Sequence, residues 1–146
     1  MAAPAPKINA SFLNNRNNGF AFAKAASTAF EVGYFLTFDG SGFVVPVSNS
    51  GYTDKIIGLS NEQITSASKN YATTDDIGVS TPVNILDELL IPVSAGTATS
   101  ALVGTYVDVN PSAPGTVDVS TAGTQILITR VIDASTIRGV IALTVA

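Results

Sequence analysis

The sequence predicts a mainly β protein: a single small β-barrel, β-tulip-like or sandwich domain with an extended N-terminal arm. From Gly33 onward, short runs rich in Val, Ile, Thr, Phe and Tyr alternate with clusters of Gly, Asp, Asn, Ser and Pro, which is typical of strands joined by turns. The 146 residues are enough for one domain with a core and too few for two comfortable ones. We therefore predict an arm over residues 1–30 and a β domain over residues 31–146.

The first part of the predicted arm has almost no apolar periodicity. Residues 1–19 contain two prolines and an asparagine-rich run, a composition that favours irregular, extended chain. In the segment 21–30 the alanines permit a short helix, but Phe20 and Phe22 also fit the alternation of a strand. Both alternatives stay open for this segment.

Isolated apolar side chains and one arginine make the arm a candidate partner-binding segment. An extended chain of about twenty residues reaches on the order of 60 Å, far enough to span a neighbouring subunit. Large apolar residues in such a segment can become buried when it is ordered on another surface. The candidate contact residues are Ile8, Phe12, Leu13, Arg16, Phe20, Phe22 and Phe30.

The β domain begins with the stretch "GYFLTFDGSGFVVPV", residues 33–47. Tyr34, Leu36 and Phe38 alternate onto one face of a strand, and the residues 39–42 supply a hairpin turn. Pro46 cannot donate a ladder hydrogen bond, so the returning strand is predicted to lie at an edge, end there or carry a bulge. The predicted strands lie near residues 33–38, 43–47, 55–60, 77–80, 83–86, 89–93, 104–109, 116–119, 125–132 and 137–145.

Composition excludes several classes of function. The chain has no Cys and no His, which removes disulfides, thiolate nucleophiles, imidazole bases and most zinc or iron sites. Seven basic residues against eleven acidic ones give a net charge of −4, which would repel nucleic-acid phosphates. We therefore do not expect nucleic acid as a partner. No signal peptide and no membrane-spanning segment is predicted, so we do not expect a membrane as a partner either.

The acidic and basic side chains suggest no catalytic or metal site. Asp39 lies in a "DGSG" turn without the further oxygen ligands of a calcium loop, and adjacent carboxylates such as Asp75 and Asp76 point to opposite faces of a strand. The lysines Lys24 and Lys55 do not lie in an obviously apolar setting. We therefore predict no catalytic, cofactor-binding or metal-binding residues and do not expect an enzyme.

Four stretches carry a resemblance to a known family: "GYFLTFDGSGFVVPV", "TDKIIGLS", "VNILDELLIPVSAGTATSALVGTYVDV" and "TVDVSTAGTQILITRVIDASTIRGVIALTV". They resemble the small head decoration, or capsid cement, proteins of tailed bacteriophages. In that family a strand ending in proline leads through an Ala/Gly/Thr loop into a G-x-x-V-y-v-D strand, and the chain finishes on a valine-rich hairpin. The matching positions here are Ile91, Pro92, Gly104, Tyr106, Val107, Asp108 and Val131 to Leu143.

The resemblance implies a structural virion protein on the outer surface of the phage capsid, made in the host cytoplasm. Its implied partners are the major capsid protein and neighbouring copies of itself, most often in a homo-oligomer such as a trimer. Only 12% of residues are charged and the mean hydropathy is +0.37, which also favours a surface partly covered by a partner. A phage fibre or tail module, or a cell-surface β module that binds a host glycan or protein, is the alternative.

Overall fold

The computed structural model describes residues 9–13, 17–48, 55–83 and 86–142. Over these residues the protein is mainly β, which confirms the predicted fold class, and one 3₁₀ turn spans Ser100–Leu102. The strands are β1 (Ser11–Phe12), β2 (Asn17–Ala23), β3 (Phe35–Phe38), β4 (Val44–Pro46), β5 (Gly58–Ser60), β6 (Asp76–Pro82), β7 (Leu89–Ala95), β8 (Tyr106–Val109), β9 (Val117–Asp118), β10 (Ile126–Asp133) and β11 (Thr136–Ile141).

Five strands form a closed barrel in the order β7-β11-β10-β8-β9, because β9 returns to pair with β7. The β7–β9 pair is parallel and uses Val93 and Ala95, whereas the start of β7 pairs with β1 through Leu89 and Leu90. Strand β1 therefore occupies the place beside β7 that β9 leaves free. Closure pairs strands that would otherwise present open edges.

The remaining strands form a second sheet in the order β2-β6-β5-β3-β4. Lys24, directly after β2, makes an isolated parallel bridge to Val44 of β4, and the Ala25 N–H donates to the Val44 carbonyl at 3.0 Å. The two outer strands of this sheet thus meet at one point. The sheet encloses the second of two hydrophobic clusters, built from Phe30, Leu36, Val44, Ile64, Ile77 and Val79.

Strand β3 is buried on both faces and joins the two hydrophobic clusters. Phe35 belongs to the cluster of the barrel, whereas the next residue, Leu36, belongs to the second cluster. Successive side chains of a strand point to opposite faces, so one strand contributes to both cores. The Phe35 N–H also donates to the Pro114 carbonyl at 2.9 Å, which fixes β3 against a loop of the barrel.

Nine of the ten predicted strands are present with boundaries shifted by a few residues. The prediction of a strand over 83–86 is wrong at its described ends, because Val83 and Leu86 lie outside strands and the Val83 N–H donates to the Asp87 carboxylate at 2.9 Å. The last residues of the predicted strand 137–145 lie outside the described residues. Pro46 is the final residue of β4, the terminal strand of its sheet, as predicted.

The described residues of the predicted arm, 9–13 and 17–30, pair and pack with the rest of the domain. Residues 17–23 form a strand and not a helix, and the whole of β2 pairs with β6. Ala10 is 3% exposed in the core of the barrel, and Phe30 is fully buried in the second cluster. Side chains alternate along a strand, so Phe20, Phe22 and Lys24 lie on the same face. Pairing with β6 of the same chain stabilises β2.

Candidate functional site

The seven contact residues predicted from the sequence occupy different environments. Ile8 and Arg16 lie outside the described residues. Phe30 is fully buried and offers no surface to a partner in the folded chain, whereas Phe12 and Phe22 are partly exposed beside the two cores. Leu13 and Phe20 are 40% and 49% exposed.

A cluster of three rings, which we call the phenylalanine cluster, lies at the rim of the second sheet. Its members are Phe20, Phe22 and Phe38. The ring centroids of Phe20 and Phe22 are 6.0 Å apart, and those of Phe22 and Phe38 are 5.5 Å apart in an edge-to-face arrangement. Phe22 packs against the second core, while Phe20 and Phe38 remain 49% and 44% exposed. The cluster is therefore an exposed aromatic surface that is held in place by the packing of Phe22 against the second core.

Sequence reasoning identified Phe20 and Phe22 as contacts but did not include Phe38. Phe38 ends the strand whose alternation places it on the same face as Leu36, a core residue of the second cluster. Its position at the end of that strand carries it beyond the core to the rim. The alternation could have found it, but the proximity of β3 to β2 depends on long-range pairing.

Other exposed apolar side chains are distributed over the surface of both sheets. Leu13 lies near the connection from β6 to β7, because its N–H donates to the Glu88 carbonyl at 3.1 Å. The described large hydrophobic residues with the greatest exposure are Leu13, Phe20, Val32, Phe38, Val83, Leu86, Val103, Tyr106 and Ile132. Single exposed apolar residues are normal on a protein surface, so contacts between exposed side chains, as in the phenylalanine cluster, are more informative about a partner.

The carboxylates of Asp39 and Asp108 accept hydrogen bonds from backbone N–H groups. The Asp39 carboxylate accepts the N–H groups of Ser41 at 2.8 Å and Phe43 at 2.9 Å, so it caps the turn between β3 and β4. The Asp108 carboxylate accepts the Thr124 N–H at 2.8 Å. Among the described residues no group of three or more His, Cys, Asp or Glu side chains could hold a metal ion.

Lys24 is fully buried, which the sequence did not predict. Its ammonium group donates to the Thr73 carbonyl at 2.5 Å and to the Tyr71 carbonyl at 3.2 Å. These bonds tie the polar segment 65–75 to the end of β2. Burial of a charged group requires such partners, so Lys24 has a structural explanation.

Two arginines face each other on the β10–β11 hairpin. Arg130 and Arg138 are direct cross-strand partners, and the Arg138 Nε is buried with no hydrogen-bond partner among the described residues. Like charges directly opposite each other destabilise a strand pair. A carboxylate from a binding partner would relieve that repulsion, which makes the hairpin a second candidate contact.

A shallow depression of about 200 Å³ lies beside β8. Tyr106, Leu102 and Val119 are among the residues that line it, and no charged side chain does. Its polar lining consists of the hydroxyl-bearing residues Thr105, Tyr106, Ser120 and Thr121.

Comparisons of the sequence with models of known protein families and with curated proteins find no match. In the ranges that the structure describes, no helix is long and apolar enough to cross a membrane. Function is therefore inferred from the exposed residues of the phenylalanine cluster and from the arginine pair.

Proposed function

We propose that the protein is a structural virion protein, a capsid decoration or cement protein that binds the outer surface of a phage head. It would stabilise contacts between neighbouring major capsid proteins. The observation that carries the proposal is the exposed phenylalanine cluster on a small β domain of low charge. The sequence resemblance to head decoration proteins supports the same reading.

The phenylalanine cluster has the properties of an anchor for a protein surface. Phe20 and Phe38 each expose nearly half of their surface, and Phe22 holds them in place through ring contacts. Full burial of a phenylalanine side chain stabilises by roughly 1.5–3 kcal/mol, so covering the exposed halves would contribute about that much in total. Binding also costs translational and rotational freedom, so multivalent attachment or additional contacts are required.

The proposed protein needs neither a cofactor nor a catalytic group. Its partners would be the major capsid protein and neighbouring copies of itself. Its location would be the outer surface of the capsid, after synthesis in the host cytoplasm. The arginine pair of the β10–β11 hairpin would add a charged contact suited to a capsid carboxylate.

Binding to particles stripped of this protein tests the proposal. We expect Phe20→Ser to weaken attachment at least tenfold, or about 1.4 kcal/mol, because the partner loses an aromatic anchor. The matched control is Val103→Ser, which removes a side chain of similar exposure, 47% against 49%, at the end of the 3₁₀ turn and outside both proposed contacts, and it should bind as the unmodified protein does. Equal binding curves for Phe20→Ser and the unmodified protein, with both proteins folded, would contradict the proposal.

A fibre, tail or cell-surface module that binds a host glycan or protein is the second candidate. The exposed rings of the phenylalanine cluster favour it, because aromatic faces also pack against sugars. Such a protein would bind glycans or host cells and show no affinity for stripped capsids. The same capsid-binding assay, run beside a glycan-binding assay, separates the two candidates.

A further inference from the structure

The backbone of β2 alternates between groups that face β6 and groups that face away. The Lys24 N–H donates to the Asp75 carbonyl at 3.2 Å on the β6 side. The Ala25 N–H donates in the opposite direction, to Val44 of β4. Hydrogen-bonded and non-hydrogen-bonded pairs alternate along an antiparallel ladder. The N–H and C=O groups of Gly19 and Ala21 therefore point away from β6.

No strand lies along that outer side of Gly19 and Ala21 in the part of the chain that the structure describes. Strand β2 is terminal in its sheet, and β4 meets it only from Lys24 onward. The open stretch of β2 is thus residues 17–21, with Gly19 at its centre. A row of unpaired backbone groups of this length is a template for pairing with another chain.

Other open edges are blunted in ways that this stretch is not. Strand β4 has three residues and ends at Pro46. The edge of β10 beyond Ile128 carries Arg130 and Asp133, and its ladder with β11 has register shifts on either side of Val131. Charges, prolines and bulges all disfavour edge pairing. Residues 17–21 read "NNGFA" and contain none of these features.

We propose that this edge pairs with the same edge of a second copy, antiparallel, about a two-fold axis that passes Gly19. In that register Gly19 lies opposite its own copy, and Asn17 lies opposite Ala21. These are the positions whose backbone groups face outward, so each residue can exchange hydrogen bonds with its partner. No charge lies within the paired stretch, so the symmetry brings no like charges together.

The face of β2 is open at Gly19, where an added Cβ would meet nothing within 4 Å. The exposure of Phe20 favours a second copy over an unrelated strand. Phe20, which is 49% exposed, would lie diagonally across from its own copy, at about 7–8 Å between Cα atoms. That spacing is within reach of two aromatic rings. The pairing would therefore bring the two phenylalanine clusters together on one face of the joined sheet, where the rings remain accessible to a further partner.

Cross-linking through an introduced cysteine tests the register. Because the chain has no cysteine, Gly19→Cys places a single thiol at the proposed axis. The two Cα atoms of a hydrogen-bonded pair are about 5.5 Å apart, within the range that a disulfide spans. We expect Gly19→Cys to form a disulfide-linked dimer under mild oxidation, at least tenfold faster than the control Ala101→Cys, an exposed site on the 3₁₀ turn. Equal rates would overturn the proposed register.

Charge substitution at the same residue tests self-pairing. Light scattering should give twice the 14.9 kDa of one chain for the unmodified protein. Gly19→Lys and Gly19→Glu should each dissociate at least ten times more readily, and an equimolar mixture of the two should regain the dimer, because opposite charges then face each other. An unmodified protein that stays monomeric at the highest soluble concentration would refute the inference, as would dimers unaffected by either substitution.

The pairing does not depend on the proposed capsid function, and the assays keep them apart. A monomeric protein whose Gly19→Lys variant loses capsid attachment would show that the edge receives a strand of the capsid protein, which overturns pairing with a second copy. A dimer with no affinity for capsids would support the pairing and contradict the proposed function.

Discussion

The segment around Asn9 is wedged between two glycines, and adding one methyl group there should measurably destabilise the protein. A Cβ on Gly115 would lie 2.1 Å from the Asn9 Oδ1 and 2.7 Å from its Cβ, so the Gly115→Ala change must displace Asn9. Displacing Asn9 would weaken two hydrogen bonds. The Asn9 Nδ2 donates to the Val32 carbonyl at 3.0 Å, and the Ala10 N–H donates to the Gly115 carbonyl at 2.8 Å. At about 0.5–1.5 kcal/mol each, we expect a loss of about 1–3 kcal/mol in the free energy of unfolding.

A double-mutant cycle separates this wedge from a general effect of alanine. Gly115 does not adopt a left-handed backbone, so alanine itself is compatible with its conformation. In an Asn9→Gly background the obstructing side chain is gone, and Gly115→Ala should then cost less than about 0.5 kcal/mol. Urea unfolding followed by circular dichroism measures both values, provided that the m value is unchanged. The same cost in both backgrounds would refute the contact and, with it, the placement of residues 9–13 within the domain.

Three further substitutions test other parts of the structure. Lys24→Met should reduce the free energy of unfolding by about 1–3 kcal/mol and speed amide exchange in the segment 65–75, because the Tyr71 and Thr73 carbonyls lose their donor. Unchanged exchange would argue against a role of these two bonds in holding the segment. Gly58→Ala should cost about 3 kcal/mol or more, since its Cβ would lie 2.1 Å from the Ser80 carbonyl oxygen, and a near-normal urea midpoint would contradict that close packing. Hydrogen bonds from Ser135, first from its backbone N–H, lower the pKa of Asp133. The stabilisation that the ionised Asp133 provides is therefore present above the unfolded pKa of 3.8, and it is lost as the pH falls through the lower folded pKa. Asp133→Asn should reduce the acid dependence of the urea midpoint, and an identical dependence would exclude the bond.

Local pattern was sufficient for most strands because alternation and turn chemistry are properties of neighbouring residues. The turn at Asp39 and the end of β4 at Pro46 followed from side chains that satisfy, or fail to satisfy, nearby backbone groups. The predicted strand at 83–86 is wrong at its described ends because the Val83 N–H donates to the Asp87 carboxylate, a local partner that the apolar pattern did not indicate.

Long-range pairing could not be read from the sequence. The low apolar density of residues 1–30 gave no sign that β2 pairs with β6, which is distant in sequence. The same pairing brings Phe22 to Phe38 and buries Lys24, so the phenylalanine cluster was only partly predictable. Composition suggested a covered surface, whereas the location of that surface required the fold.

The most direct test of the proposed capsid function is a cryo-electron microscopy reconstruction of phage particles assembled with this protein. We expect density for the β domain on the outer surface of the capsid, in copies that follow the icosahedral lattice, with the rim formed by Phe20, Phe22 and Phe38 against a neighbouring protein. Density confined to the tail or fibres, or a capsid surface without this domain, would contradict it.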